Sequence, residues 1–150
     1  MIGKRLRLFM RMPLPERRNT AKQSTHYTQE ANHWWDTIQV LFQDLANNPD
    51  ISLNIKKLLV DGTSTTVLTT DTSGVPLEPA LMYSYTGCET QAELIDQYAP
   101  ANNPARGAGS SLAKWLYFYQ KYNTCDNIIM HQTDWVIAQL CGHYRYSDEH

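Results

Sequence analysis

Residues 58–70 constrain the fold most, because two strand-forming runs meet at a glycine turn. The first run is Leu58-Leu59-Val60, and the second is the β-branched stretch 65–70. Asp61-Gly62 between them is typical of a tight turn joining two strands. A second turn at residues 71–74 and the short run 81–83 predict a third strand. The segment therefore predicts a sheet at the centre of the fold.

Amphipathic helical patterns flank these strands. The spacing of apolar residues and the capping signals predict four helices. The first has the face Trp34, Ile38, Leu41 and Leu45 and ends before Pro49, and the second covers 89–98 and presents Ala92, Ile95 and Tyr98 on one side. The third runs from an N-cap at Ser110 or Ser111 through Tyr122 with the inward face Leu112, Trp115, Leu116 and Tyr119, and the fourth covers 132–141 and ends at Gly142. Residues 128–130 add a short apolar run. Helices that alternate with short strands predict the α/β class.

Composition limits the class of protein, and charge divides the chain in two. With 150 residues, 42% of them hydrophobic and 19% charged, the chain has the size and content of one folded domain. The net charge of -2 predicts no polyanion partner for the chain as a whole. However, seven of the 13 Lys and Arg residues lie within residues 1–22, beside the single acid Glu16. The start of the chain therefore differs in kind from the rest.

We interpret residues 1–29 as a basic, disordered leader and residues 30–150 as the folded part. An Arg-rich, acid-poor leader resembles an organellar transit peptide, and a basic cluster can also bind nucleic acid. Phe9 is the one aromatic residue among residues 1–20 available to stack on bases. No apolar run is long enough to span a membrane. A disordered extension is therefore favoured, with targeting and nucleic-acid binding as alternatives.

The cysteines favour a reducing compartment. Cys88, Cys125 and Cys141 are odd in number and widely separated, which fits free thiols and a cytoplasmic protein better than a disulfide framework. Cys141-Gly142-His143 supplies two potential metal ligands at a spacing that suits no common zinc motif. We therefore predict no metal site there.

The turn after Val60 is the segment richest in chemistry. It places a carboxylate, backbone N–H groups and several hydroxyls together, in the order Asp61-Gly62-Thr63-Ser64-Thr65-Thr66. Such a turn suits a hydroxylated ligand or a phosphate, although the same residues also occur in hairpins for turn geometry alone. The glycine motifs of the P-loop and of dinucleotide-binding folds do not occur in the sequence, so nucleotide binding by those routes is excluded.

Several collinear segments resemble one family. They are VDGTSTTVLTTDTSGVPLEPALMY (60–83), SSLAKW (110–115), HQTDWVIAQLCG (131–142) and Ser147-Asp148, preceded by the helix that carries Trp35. Together they resemble the FGGY carbohydrate kinases, and most closely the pentulose kinases of the ribulokinase and xylulokinase type. The resemblance covers about 115 residues in the family's order.

The resemblance implies part of a ribonuclease-H/actin-like sugar kinase N-terminal domain, with an incomplete mixed sheet and flanking helices. It also implies transfer of the ATP γ-phosphoryl group to a hydroxyl of a pentulose-like sugar, with Mg²⁺ on the phosphates. Ser64 matches the serine that contacts the sugar, whereas Asp61, Gly62 and Thr63 match residues that shape the turn. Asp134 matches an acidic position for which a structural role at a helix N-terminus is favoured. Ser147 and Asp148 match the stretch before the family's Asn-Ala segment.

The departures from the family predict loss of activity. Nothing in residues 1–54 resembles the family's phosphate-binding D-x-G-T/S hairpin, and Tyr85 and Gly87 replace the carboxylate and guanidinium of its W-x-D-x-R motif. The catalytic base and the nucleotide domain would lie beyond His150. We therefore expect an internal piece of a kinase that is inactive alone and binds neither ATP nor Mg²⁺ tightly. The alternatives are a non-enzymatic sugar-binding or regulatory remnant, and a basic-arm protein that binds nucleic acid.

Overall fold

A computed structural model describes residues 27–123 and 126–144. The elements in chain order are β1 (Thr28–Gln29), α1 (Ala31–Ala46), α2 (Pro49–Ser52), β2 (Val67–Thr70), β3 (Ala80–Leu81), α3 (Glu89–Asp96), α4 (Ser111–Tyr122), β4 (Ile128–His131) and α5 (Gln132–Cys141). The four strands form one sheet in the order β1-β3-β2-β4. Residues 1–26 of the predicted leader lie outside the described residues, and Thr28 and Gln29 at its end pair with Leu81 and Ala80 of β3.

The sheet is covered by helices on both faces. Side chains of a strand alternate between the two faces, so Val67 and Leu68 of β2 point in opposite directions. Leu68 joins a core cluster with α1 and α5, and Val67 joins a second cluster with α3 and α4. All four residues of β2 are buried. The predicted α/β class is therefore confirmed for the described residues, as a layer of helices on each side of a sheet.

Capping residues place the start of α4 and the end of α5 where the sequence predicts them. The hydroxyl of Ser110 accepts a hydrogen bond from the Ala113 N–H at 3.1 Å, which starts α4 as predicted. Gly142 adopts a left-handed conformation with φ of 73° and ends α5 as predicted. These ends were predictable because capping depends on neighbours in sequence.

The predicted strand at residues 58–60 is wrong. These residues form neither helix nor strand, and the Leu59 side chain is 93% exposed. A strand requires a partner for its N–H and C=O groups, and no described strand pairs with this run. Apolar and β-branched composition predicted strand propensity, but pairing decides whether the strand forms.

The predicted mixed sheet is also wrong within the part of the chain that the structure describes. All three strand pairings there are antiparallel. Between β2 and β3 the chain has only residues 71–79, and a parallel crossover requires about a dozen residues or more. The connection therefore permits only an antiparallel pair.

The predicted inward face of α4 is wrong except at Leu116, which is partly buried against the core cluster that contains Val67. Trp115 and Tyr119 are 42% and 47% exposed, and Leu112 is also exposed. The buried residues of α4 are instead Ala113, Lys114 and Phe118. A lysine scores as polar, so the apolar pattern selected a stripe on nearly the opposite side of the helix from the buried one. Tyr98, predicted to be inward-facing after α3, is exposed as well.

Candidate functional site

The turn singled out by the sequence, residues 61–66, leads into β2 and is fixed against the start of α5. We call it the Ser64 turn. Both the N–H and the hydroxyl of Thr63 donate to Gln132 Oε1, each at 3.0 Å. In return the Gln132 N–H donates to the Thr66 carbonyl at 3.1 Å. Three hydrogen bonds thus tie the turn to a residue 69 positions away from Thr63.

Gly62 lets the Ser64 turn approach α5 closely. A Cβ atom added at this position would lie 2.5 Å from Thr133 Oγ1 and 3.2 Å from Gln132 Oε1. Both distances are shorter than ordinary van der Waals contact, so the absence of a side chain is what permits the approach.

Replacing Gly62 by alanine is therefore expected to lower the free energy of unfolding by about 1–3 kcal/mol, because the new methyl group overlaps Thr133. The double variant Gly62→Ala/Thr133→Ala should recover most of this loss relative to Thr133→Ala alone. Urea unfolding followed by circular dichroism measures both. Equal stability of Gly62→Ala and the wild type would contradict the close approach.

A buried lysine holds the other side of the Ser64 turn. Lys114 of α4 donates from Nζ to the Thr65 carbonyl at 2.7 Å and to the Met82 carbonyl at 2.8 Å. Thr65 has a φ of 59°, a left-handed conformation that is costly for a β-branched residue. The lysine therefore binds the carbonyl of the one strained residue in the turn.

Lys114 also connects the Ser64 turn with a second turn, residues 82–85, which we call the Tyr83 turn. The Met82 carbonyl accepts from the Tyr85 N–H at 2.9 Å as well as from Lys114. The Tyr83 N–H donates to Thr66 Oγ1 at 3.1 Å. The structure thus joins the segment that contains Ser64 to Tyr83, the first residue of the segment where the family carries W-x-D-x-R.

Ser64 lies at the exposed tip of the Ser64 turn. No hydrogen bond joins its side chain to another described residue. Asp61 is also exposed, and its Oδ1 accepts from the Gly62 N–H at 2.9 Å. A free hydroxyl and a carboxylate on the same exposed turn offer both a donor and acceptors to ligand hydroxyls.

The same hydrogen bonds weigh against phosphate as the ligand of this turn. A phosphate needs several free N–H groups pointing toward it. Three N–H groups of the turn already have acceptors: that of Gly62 binds Asp61, that of Thr63 binds Gln132, and that of Thr66 binds the Thr63 carbonyl. The hydroxylated ligand is therefore the better supported of the two sequence-based alternatives.

Burial is the main cause of the pKa shifts of Lys114 and Cys88, the two ionisable groups behind the turns. It lowers the pKa of Lys114 from its ordinary 10.5 to about 8, an effect partly offset by Cys88. Burial also raises the pKa of the Cys88 thiol to about 11, again against the influence of Lys114. The thiol is therefore neutral at physiological pH and does not neutralise the lysine.

The remaining candidates from the sequence have structural roles or lie outside the described residues. Asp134 accepts from the His131 N–H at 3.3 Å through Oδ2, which satisfies a free donor at the start of α5. Cys88 is buried and Cys141 is exposed, both as free thiols. No three His, Cys, Asp or Glu side chains converge within residues 27–123 and 126–144. Ser147, Asp148 and Cys125 lie outside those ranges.

A cavity of about 180 Å³ lies beneath the exposed aromatic residues of α4. Trp115 and Tyr119 stack beside it with ring centroids 5.2 Å apart, and Thr69 and Phe118 also line it. The buried hydroxyl of Thr69 has no hydrogen-bond partner among the described residues. Trp115 and Tyr119, whose spacing predicted a buried face, therefore line the rim of a cavity instead of the core.

The site also contains Lys114, Gln132 and Thr133, none of which was predicted from the sequence. Gln132 and Thr133 contact the Ser64 turn only because α5 packs against it, so no pattern among their sequence neighbours identifies them. Lys114 did carry a signal: Ser110, Lys114 and Phe118 follow the i, i+4, i+8 spacing of one helix face. A lysine on a face otherwise formed by buried residues indicates a specific partner.

Comparison with known proteins identifies the fold. The chain is similar in structure to the glycerol kinase of Plasmodium falciparum, which was solved with ADP, at a TM-score of 0.59 and 15% sequence identity. The match covers 79% of this chain and 27% of the glycerol kinase chain, so this chain spans about a quarter of that protein's length. Comparison with models of protein families finds none that matches.

The described residues contain no helix that combines the length and apolarity needed to cross a membrane. Over 79% of its length, the chain has a fold similar to part of this glycerol kinase.

Proposed function

We propose that this chain forms the sugar-contacting part of a carbohydrate kinase N-terminal domain and that Ser64 binds a hydroxyl of a pentulose-like sugar. The observation that carries the proposal is the exposed, unpaired Ser64 hydroxyl on a turn held rigidly from two sides. The fold shared with a glycerol kinase and the family resemblance of residues 60–83 support it. Sugars suit such a turn because each hydroxyl both donates and accepts hydrogen bonds.

The chemistry proposed for the complete enzyme is transfer of the ATP γ-phosphoryl group to a sugar hydroxyl. ATP and Mg²⁺ would be its cofactors, with the metal neutralising charge on the phosphates. Mg²⁺ is commonly held by one or two carboxylates together with the phosphates, and three N–H groups of the Ser64 turn are not free to bind those phosphates. We therefore assign to these residues the binding and orientation of the sugar, and no step of the transfer itself.

Orientation is a large part of what such a site contributes to a reaction. Holding an acceptor hydroxyl in one geometry replaces a search over many orientations. The tip of the Ser64 turn is suited to this, because its neighbours Thr63 and Thr65 are each hydrogen-bonded to a different helix. A rigid support keeps the Ser64 hydroxyl in place before the ligand arrives.

The Ser64→Ala variant tests the proposal by titration calorimetry of the full chain with D-ribulose and D-xylulose. Loss of one hydrogen bond is expected to weaken sugar binding by on the order of tenfold. The matched control is Ser73→Ala, which removes another exposed hydroxyl from a turn and should leave the affinity unchanged. Undetectable binding of either pentulose by the wild type, or equal affinity of Ser64→Ala, would contradict the proposal.

A second measurement separates a binding module from a transferase. The full chain with Mg²⁺-ATP and each pentulose is assayed for sugar-dependent ADP release. We expect pentulose binding without turnover. Sugar-dependent ADP release would instead show that the chain completes the transfer, and would overturn the restriction of these residues to sugar binding.

A further inference from the structure

Lys114 occupies an unusual position for a charged side chain. It is fully buried on the inward face of α4, yet both hydrogen bonds from its Nζ atom go to backbone carbonyls. Burying a charge is costly unless it is paired or hydrogen-bonded. The two carbonyls offset this cost, and Lys114 in turn stabilises the backbone conformation in which they face its Nζ atom.

The two carbonyls belong to different turns, both next to exposed residues. Thr65 directly follows Ser64, and Met82 directly precedes Tyr83. One ammonium group therefore joins the Ser64 turn to the Tyr83 turn. The hydrogen bond between Tyr83 and Thr66, which joins the same two turns, spans 17 residues. Hydrogen bonds from a charged donor are stronger than neutral ones, so this link is among the firmest in the site.

The strain at Thr65 explains why the turn needs this link. A β-branched residue with φ of 59° would relax to an extended conformation unless its surroundings prevented it. The Thr66 N–H to Thr63 carbonyl bond that closes the turn is long, at 3.4 Å. Relaxation of Thr65 would rotate the adjoining peptide and move the Ser64 hydroxyl away from its present direction.

We propose that Lys114 is a positioning residue for the Ser64 turn, which holds Thr65 in its left-handed conformation and so aims the Ser64 hydroxyl at the ligand. This inference rests on the proposed function for its effect on sugar binding. Its structural half, the conformation of the turn, does not depend on that function. The titratable groups near Lys114 are Cys88 and, through the thiol, Tyr85 and Glu89.

The test uses hydrogen exchange on the full chain. Lys114→Met keeps the length and the apolar stem of the side chain but removes the donor. We expect exchange in a peptide covering residues 62–66 to accelerate by on the order of tenfold, with the exchange of β2 and β4 unchanged. Lys121→Met is the matched control, since Lys121 lies on the same helix and binds Glu78 at the surface; it should change neither segment.

Sugar affinity is the second readout. Lys114→Met is expected to weaken pentulose binding about as much as Ser64→Ala, by on the order of tenfold, and Lys121→Met to leave it unchanged. If the wild type binds neither pentulose, the proposed function fails, while the exchange of residues 62–66 still decides the role of Lys114. Unchanged exchange in the turn, or equal acceleration throughout the sheet, would overturn the positioning role.

A rescue variant distinguishes positioning from general stabilisation. Asparagine adopts the left-handed conformation more readily than threonine, so Lys114→Met/Thr65→Asn should regain slow exchange in the turn and part of the affinity. If Lys114→Met does not fold, Thr65→Asn alone decides. It should slow exchange of residues 62–66 in the otherwise unchanged chain, and exchange equal to the wild type would contradict strain at Thr65.

Discussion

The Trp135→Ala variant should lose about 3–5 kcal/mol of unfolding free energy, which is a large fraction of the stability of a domain this size. Trp135 is fully buried in the cluster between the sheet and α1. Its ring meets that of Trp34 edge to face, with centroids 6.0 Å apart. The indole N–H donates to the Gly74 carbonyl at 2.9 Å. Alanine would leave a cavity and remove the donor from that buried carbonyl.

Trp115→Ala is the matched control, because it removes the same ring from an exposed site on α4. We expect it to change the free energy of unfolding by less than about 1 kcal/mol. Urea unfolding followed by far-UV circular dichroism compares the two variants with the wild type. A loss below about 1 kcal/mol for Trp135→Ala would show that α5 does not depend on this contact.

The second large effect is a rise in stability with pH above 8. Burial lowers the pKa of Lys114 in the folded chain to about 8, against the ordinary 10.5 expected when unfolded. Below pH 8 both states carry the proton, and the full cost of burying the charge is present. Between pH 8 and 10.5 the unfolded state keeps a proton that the folded state has lost, so the free energy of unfolding rises with pH. The shift corresponds to a total on the order of 3 kcal/mol.

Cys88 opposes this rise at higher pH. Burial raises the pKa of its thiol to about 11, so from about pH 9 the unfolded state loses a proton that the folded state keeps. Stability therefore falls through this range on account of the thiol. The raised pKa values of Tyr85 and Tyr122 act in the same direction above pH 10. The net expectation is a rise between pH 8 and about 9, followed by a plateau and a decline.

Two variants separate these contributions. Urea unfolding at constant ionic strength, at intervals from pH 7 to 10, is expected to show the rise in the wild type. Lys114→Met should abolish it, whereas Cys88→Ala should extend it toward pH 10. A wild-type profile that stays flat or falls between pH 8 and 9 would contradict the burial of a charged Lys114.

Features that depend on neighbouring residues were predictable from the sequence. Ser110 and Gly142 cap α4 and α5 where expected, because the groups they satisfy lie within a few residues. The tight turn predicted at Asp61-Gly62 is wrong in position, because the turn lies at Ser64-Thr65, where the Thr66 N–H to Thr63 carbonyl bond closes it. Ser64 was predicted to bind the sugar because of its place in this segment and because of the family resemblance.

Features that depend on distant partners were not predictable. Residues 58–60 have the composition of a strand and form none, because strand formation depends on a pairing partner as well as on propensity. The buried face of α4 was misassigned because Lys114 is paired with the Thr65 and Met82 carbonyls, which lie 49 and 32 residues away.

The sequence by itself determined the α/β class, the start of α4 and the end of α5. The tertiary structure alone decided which face of α4 is buried, and that one lysine joins the Ser64 turn to the Tyr83 turn. The physical reason is that caps and turns satisfy backbone groups locally, whereas a buried charge is stable only where packing supplies distant acceptors.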